Sequence, residues 1–299
     1  MLIDIHAHIT SALLPTFVKR LNRKVFDVKV LLKRMDLEGI DKSVLLPLTN
    51  PENHDYYAIA DNMECLKAAK AHPDRLMSFC CVDPRFMMNN ARGGIVNFLR
   101  AYKEMGALGI GEMCAGLPFD HQLCRRLYKH AGEERMPILF HLISRPNISY
   151  GVTDALKLPR MENALRDFPD TIFIGHAPAF WNEIDGNLTE KIRDTYVKGP
   201  ITRKGRLWKL MEQYPNLHAD VSAGSGHNAL SRDPAVGYEF LETFSSKIFF
   251  GTDRFTSADE PIPGIIGFLK DGLKDRKLSK AAYEKIAHRN FERVFLKKP

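Results

Sequence analysis

Eight short apolar runs, each followed by a longer stretch of helical periodicity, recur from one end of the chain to the other. No other feature constrains the fold as tightly. The runs are Leu2–Ile5, Ser43–Pro47, Leu76–Val82, Ala107–Gly111, Pro137–Phe140, Thr171–Gly175, Leu217–Val221 and Lys247–Phe250. Between them Val28–Glu38 carries apolar residues at 28, 31, 32 and 35. Tyr57–Ala71, Ile95–Met105, Gln122–Glu134, Thr153–Asp167, Gly205–Tyr214 and Val236–Phe244 repeat that spacing. Turns such as Gly39-Ile40-Asp41 and Phe168-Pro169-Asp170 stop a helix and reset the chain as extended. Strands alternating with helices pair in parallel through right-handed crossovers. The 299 residues suit closure into a (β/α)8 TIM barrel, for which about 250 residues is typical. An open doubly wound sheet calls for a glycine-rich turn after its first strand, and Asp4-Ile5-His6-Ala7-His8 is not one. No linker or low-complexity tract interrupts the pattern, so one domain over residues 1–299 is expected.

Composition narrows the class further. With 44% hydrophobic residues the chain is not disordered, and no apolar run approaches the roughly 18 residues of a membrane span. Its start lacks the basic and apolar regions of a secretory signal. The five cysteines, an odd number without Cys-x-x-Cys spacing, read as reduced thiols, and a cytoplasmic location is expected. The net charge of +7 thickens towards the end, at Lys270, Lys274, Arg276, Lys277, Lys280, Lys285, Lys297 and Lys298. That run reads as a solvated helical face with a mild pull on anions.

Chemistry-bearing side chains fall at one end of the runs. Alternation along the first strand puts Ile3, Ile5, Ala7 and Ile9 on one face, expected to meet the helices, and Asp4, His6 and His8 on the other. Two imidazoles separated by one residue stand about 6–7 Å apart at the backbone and can share an ion. Glu112 follows the fourth run, His141 the fifth, His176 the sixth and Asp253 the eighth. Six such donors at the same end of five strands mark a metal centre at the mouth, where barrel enzymes work.

These motifs resemble the amidohydrolase superfamily from Asp4-Ile5-His6-Ala7-His8 to Gly251-Thr252-Asp253, and the tail Tyr283–Phe295 resembles its terminal helix. The nearest likeness is to the amidohydrolase-related branch that contains aminocarboxymuconate semialdehyde decarboxylase. That resemblance implies His6, His8, His141 and Asp253 as metal ligands, with His176 a ligand or a nearby proton carrier. Gly111-Glu112 is instead similar to the TatD-like hydrolases, where a glutamate at this point helps hold two metals. Two ions would divide the set into His6, His8 and Asp253 against His141 and His176, with Glu112 bridging. Alternatively Glu112 binds substrate or orients a ligand.

Imidazole and carboxylate donors without thiolate suit zinc, with manganese or iron as alternatives, at one or two ions per chain. Such an ion activates water, Asp253 is assigned the proton transfer, and His176 shares the catalytic assignment. The expected activity is hydrolysis of a small anionic molecule at an amide, ester, lactone or phosphoester bond. Non-oxidative decarboxylation is the alternative, and a TatD-like nuclease ranks below both. Substrate contacts are expected at Arg145, Trp181, His227 and Arg232, with Ser222, Ser225, Asn228, Asn50 and Arg85 nearby. His54, His72, His121, His130, His218 and His288 are read as surface or rim histidines on helices or turns. The expected partner is a small molecule, with no membrane or nucleic acid, and a homo-oligomer is allowed.

Overall fold

The computed structural model describes residues 1–51, 53–86, 94–255 and 261–296. Its strands are β1 (Ile3–Ala7), β2 (Lys42–Leu45), β3 (Leu76–Ser78), β4 (Ile110–Met113), β5 (Ala115–Pro118), β6 (Ile138–Ile143), β7 (Gly151–Thr153), β8 (Phe173–His176), β9 (Leu217–Asp220) and β10 (Ile248–Phe249). Parallel pairing runs β1-β2-β3, and then β4-β6-β8-β9-β10. A bridge between Cys80 and Ile110 joins β3 to β4. Ile5 N donates to Phe250 O at 2.9 Å, and Ala7 bridges Arg254, which closes β10 onto β1. Every apolar run in the sequence overlaps one stave of this TIM barrel.

Val28–Glu38 forms a helix with the expected ends. Gly39 stops it in the left-handed region, at φ 72°, where a side chain is disfavoured. Asp233 caps the helix Pro234–Thr243 through Val236 N, with Pro234 in the first turn. Tyr57–Ala71 breaks into His54–Tyr57 and Asn62–Ala71. There Ala60 N donates to Ile9 O, while Asp61 and Glu64 make a reciprocal cap that starts the second helix afresh. The helix expected from Thr153 begins at Pro159, because Gly151–Thr153 is drawn into the sheet as β7, between β6 and β5. Ala223–Ser231, which follows the seventh run, is a helix.

Burial sorts the apolar side chains into two shells. Ile110, Met113, Ile138, Phe140, Phe173, Leu217 and Phe250 pack outward against the helices. Inside the barrel Ile3, Ile5, Val44, Leu46, Phe79, Leu139, Ile174 and Phe249 meet one another and Phe291. The Phe295 ring lies 5.3 Å from that of Phe79, so the C-terminal helical segment plugs the end opposite the mouth. Lys297 and Lys298 lie outside the described residues.

This arrangement corrects the reading of the first strand. Ile3 and Ile5 face the barrel interior, not the helices, while Ala7 and Ile9 do pack outward. Between Asp4 and Ala7 the register with β2 slips by one residue. A β-bulge changes which face consecutive residues occupy, so the strand is apolar inward low in the barrel and still turns His6 inward above. β4 slips in the same way between Ile110 and Met113, around Glu112. His218 also departs from expectation. It lies in β9, 4% exposed, and burial pulls its imidazole down to about 3. Among the described residues no helix is long and apolar enough to cross a membrane.

Candidate metal centre

All six donors named from the sequence meet at the mouth of the barrel. His6 Nε2 and His8 Nε2 stand 3.0 Å apart. Asp253 Oδ1 lies 3.4 Å from the first and 3.3 Å from the second, and its Oδ2 lies 3.7 Å from His176 Nε2. Glu112 Oε2 faces His6 and His8 at 3.9 and 3.7 Å, while its Oε1 accepts from His141 Nδ1 at 2.8 Å. Among the described residues three overlapping triads have geometry suited to an ion: His6, His176 and Asp253; His6, His8 and Glu112; Glu112, His141 and His176.

The outer nitrogens explain why the inner ones converge. His8 Nδ1 lies 2.6 Å from Leu46 O, a carbonyl that can only accept, so Nδ1 carries the proton. His6 Nδ1 donates to Asp220 Oδ2 at 2.7 Å. Ser222 Oγ donates to the same carboxylate oxygen at 2.6 Å and accepts from His176 Nδ1 at 3.0 Å. In neutral imidazoles each Nε2 then presents a lone pair. Two lone pairs 3.0 Å apart repel unless a cation lies between them, and Glu112 Oε2, fully buried, has no hydrogen-bond partner among the described residues. The donor set therefore fits a divalent metal ion.

Electrostatics agrees with the geometry. Burial opposes a charge on His6, yet Asp253, Asp220 and Glu112 outweigh it and raise the imidazole to about 10. Burial likewise opposes ionisation of Glu112 and Asp220. The imidazoles of His141, His6 and His176 hold the first far below the usual carboxylate range, and His176 and His6 hold the second there. Asp253 is lowered against its burial by His6, His8 and His176. Asp4 does not join the centre. It accepts from Thr252 N at 2.9 Å and Thr252 Oγ1 at 2.6 Å, which ties β1 to the strand end that carries Asp253.

Two cavities flank the centre. One of about 240 Å³ is lined by His141, His176, Asp253, Tyr196 and Ser225, the other of about 250 Å³ by His8, Asp253, Arg23, Tyr57 and Phe255. Tyr150 lines both, with its ring 4.4 Å from that of His141 and 5.1 Å from that of Tyr57. Two wider clefts, of about 510 and 550 Å³, touch none of these groups. Chemistry, not size, identifies the site.

The residues expected to touch substrate are dispersed. Trp181 is fully buried, donates from Nε1 to Asp220 O at 2.9 Å and packs on Phe180 and Phe240. Arg232 donates to Gly199 O and Asp185 at 2.8 Å, away from both cavities. His227 is half-buried against Gly264 and Phe268. Arg145 is exposed and lines neither cavity. Asn50 and Arg85 both bind Asp83, and Asn228 donates to Val197 O.

The sequence reading missed Asp220, Arg23 and the aromatic wall. Asp220 carries the same signal as the other donors, a carboxylate at a run's mouth end. Gly251 exists in its service, since a Cβ there would lie 2.3 Å from Asp220 Oδ1. Arg23 lies in the long segment after β1 and has no such positional signal.

The family model described as Amidohydrolase matches residues 3–296. A search of the curated proteins finds none that matches. Among solved structures, an uncharacterised TIM-barrel protein of Bordetella bronchiseptica is 15% identical, covers 98% of this chain and 97% of its own, and has a TM-score of 0.63. A probable 2-pyrone-4,6-dicarboxylic acid hydrolase of Acinetobacter baumannii, with citric acid bound, is 14% identical over 99% of both chains, with a TM-score of 0.62. A dihydroxybenzoic acid decarboxylase of a Polaromonas species, with bound manganese and an inhibitor, is 17% identical, covers 99% and 96%, and scores 0.56.

Proposed function

The chain belongs to the amidohydrolase family, and on that premise we propose that it is a metal-dependent hydrolase of a small anionic molecule, acting on an amide, ester, lactone or phosphoester bond. The observation that carries this reading is the 3.0 Å approach of His6 Nε2 to His8 Nε2, with Glu112, His176 and Asp253 around it. Zinc or manganese suits this set, at one or two ions. When bound, a divalent ion polarises the bond to be cleaved and acidifies the attacking water.

The chain's own groups do the rest. Asp253 remains ionised and faces both the histidines and the two cavities, which suits it to take a proton from water and pass it to the leaving group. Asp220 and Ser222 fix the ring orientations of His6 and His176. The anionic character of the substrate is supported by Arg23. Its buried Nε has no hydrogen-bond partner among the described residues, and its guanidinium lies 5.0 Å from the Tyr56 ring and 5.2 Å from the Tyr57 ring. A cation held by aromatic faces, beside His8 and Asp253, is available for a carboxylate or phosphoryl group. Cavities of about 240 and 250 Å³ suit a small molecule better than a polynucleotide.

One observation favours decarboxylation as a second reading. Glu112 Oε1 is occupied by His141 at 2.8 Å, and His6, His176 and Asp253 form a triad suited to one ion without it. The test is a screen of metal-stripped protein, reloaded with zinc or manganese, against lactones, amides, phosphoesters and unsaturated carboxylic acids. Hydrolysis that requires the metal and disappears in Asp253→Ala supports the first reading. Carbon dioxide release without hydrolysis selects the second. Hydrolysis undiminished in the Asp253→Ala variant refutes the assignment.

A further inference from the structure

The helix Ala223–Ser231 starts at the edge of the cavity that holds His141, His176 and Asp253, and its first turn is not capped in the ordinary way. A serine at the N-cap normally turns its hydroxyl back onto the N–H two or three residues on. Ser222 stands at this N-cap, yet makes no such bond, because its hydroxyl is committed to Asp220. Ser222 N donates to Asp220 Oδ1 at 2.9 Å, Ala223 N to Thr252 O at 3.3 Å and Gly226 N to Ser222 O at 3.3 Å. The N–H groups of Gly224 and Ser225 remain, with no acceptor beyond the helix among the described residues.

A second observation points into the same space. Ser225 is 3% exposed, lines this cavity, and its Oγ has no hydrogen-bond partner among the described residues. A buried hydroxyl without a partner costs about 1–3 kcal/mol, so its presence calls for a ligand that satisfies it. The surroundings define that ligand. Asp194 and Asp253 line the same cavity, which disfavours a resting carboxylate and favours a neutral carbonyl that becomes negative only during reaction.

We propose that Ser225 Oγ and the first-turn N–H groups of Ala223–Ser231 form an oxyanion subsite for the carbonyl oxygen of the bond being hydrolysed. The inference rests on the hydrolase reading. As water adds to the carbonyl carbon, the C=O π pair moves onto oxygen, and the water proton passes to Asp253. Collapse of the adduct expels the leaving group, which takes up that proton. The donors here gain strength as the oxygen gains charge, and they need no reorganisation. Arg23 lines the other cavity, so the substrate's permanent anion and its reacting carbonyl are held on opposite sides of Tyr150.

The test uses full-length protein loaded with manganese, with dimethylphosphinate as a monoanionic mimic of the tetrahedral adduct. Titration calorimetry of wild type and Ser225→Ala is compared with manganese content and thermal midpoint. Ser225→Ala should bind the phosphinate about tenfold more weakly, with manganese content unchanged and a thermal midpoint no lower than that of wild type, since the lost hydroxyl bonds to nothing among the described residues. Equal affinity in Ser225→Ala, or no binding to loaded wild type, overturns the subsite. Failure of the chain to take up manganese, with the Ser225 dependence retained, would keep the subsite and overturn the metal reading instead.

Discussion

The Asp220 carboxylate lies 2.7 Å from Nδ1 of His6, on the side of the ring turned away from His8. Asp220 is fully buried and ionised far below the usual carboxylate range despite that burial, because His176 and His6 both bond to it. The carboxylate fixes the tautomer of His6 and makes Nε2 a stronger donor. Asp220→Asn keeps the shape and removes the charge. It should weaken metal affinity by about 10- to 100-fold, with the barrel intact by circular dichroism. Competitive titration with a metal-sensitive dye measures this, and an unchanged affinity would show that Asp220 serves packing alone.

A pH dependence follows from His6. Its folded value of about 10 lies above the ordinary 6.5 in protein without metal, since Asp253, Asp220 and Glu112 outweigh its burial. A raised imidazole contributes stability that is fully present below 6.5 and is lost as pH rises through about 10. An ion replaces that proton in loaded protein. The thermal midpoint of stripped protein should therefore fall between pH 6.5 and 10 while that of loaded protein holds, and metal affinity should rise over the same interval. Parallel calorimetric scans of the two forms check this. A constant gap between their midpoints contradicts the assignment of His6 as a ligand that must shed a proton.

Much of this was legible in the residues, and the exceptions share a cause. Val28–Glu38 was readable end to end, because its periodicity and the Gly39 stop are local. His6, His8, Glu112, His141, His176 and Asp253 were readable because each follows an apolar run. The inward turn of Ile3 and Ile5 was not, since a bulge between Asp4 and Ala7 adds a residue without any signature in composition. Trp181 and Arg232 looked like mouth residues by position. Their partners Asp220 and Asp185 lie 39 and 47 residues away and draw them elsewhere. Long-range hydrogen bonds of this kind leave no pattern in a single sequence, and the same is true of Arg23, which Tyr56 and Tyr57 hold in place.

Glu112 decides how many ions the centre holds. Its Oε1 is bonded to His141 at 2.8 Å and its unpartnered Oε2 faces His6 and His8. Under the two-ion arrangement it is the only group shared by both halves, so Glu112→Gln should lower the metal count from two per chain to one. Elemental analysis after exhaustive dialysis reads this directly. A count of one in wild type, unchanged by the substitution, favours the single-ion decarboxylase reading.

Arg23 should govern affinity for the substrate's anion and leave the chemistry alone. It lies on the His8 side of Tyr150, with its guanidinium over Tyr56 and Tyr57 and its buried Nε unpartnered among the described residues. Hydrogen bonds to a charged group contribute about 1.5–3 kcal/mol. Arg23→Gln should therefore raise KM for the anionic substrate identified in the screen by about 10- to 150-fold. The kcat and metal content should stay near wild type, because no metal-facing atom moves. Lysine restores the charge without the planar fork, so Arg23→Lys should recover only part of the loss if the anion is held by two parallel bonds. A fall in kcat at constant KM would place Arg23 in the bond-breaking step, and no change in either would leave it a structural cation on the rim.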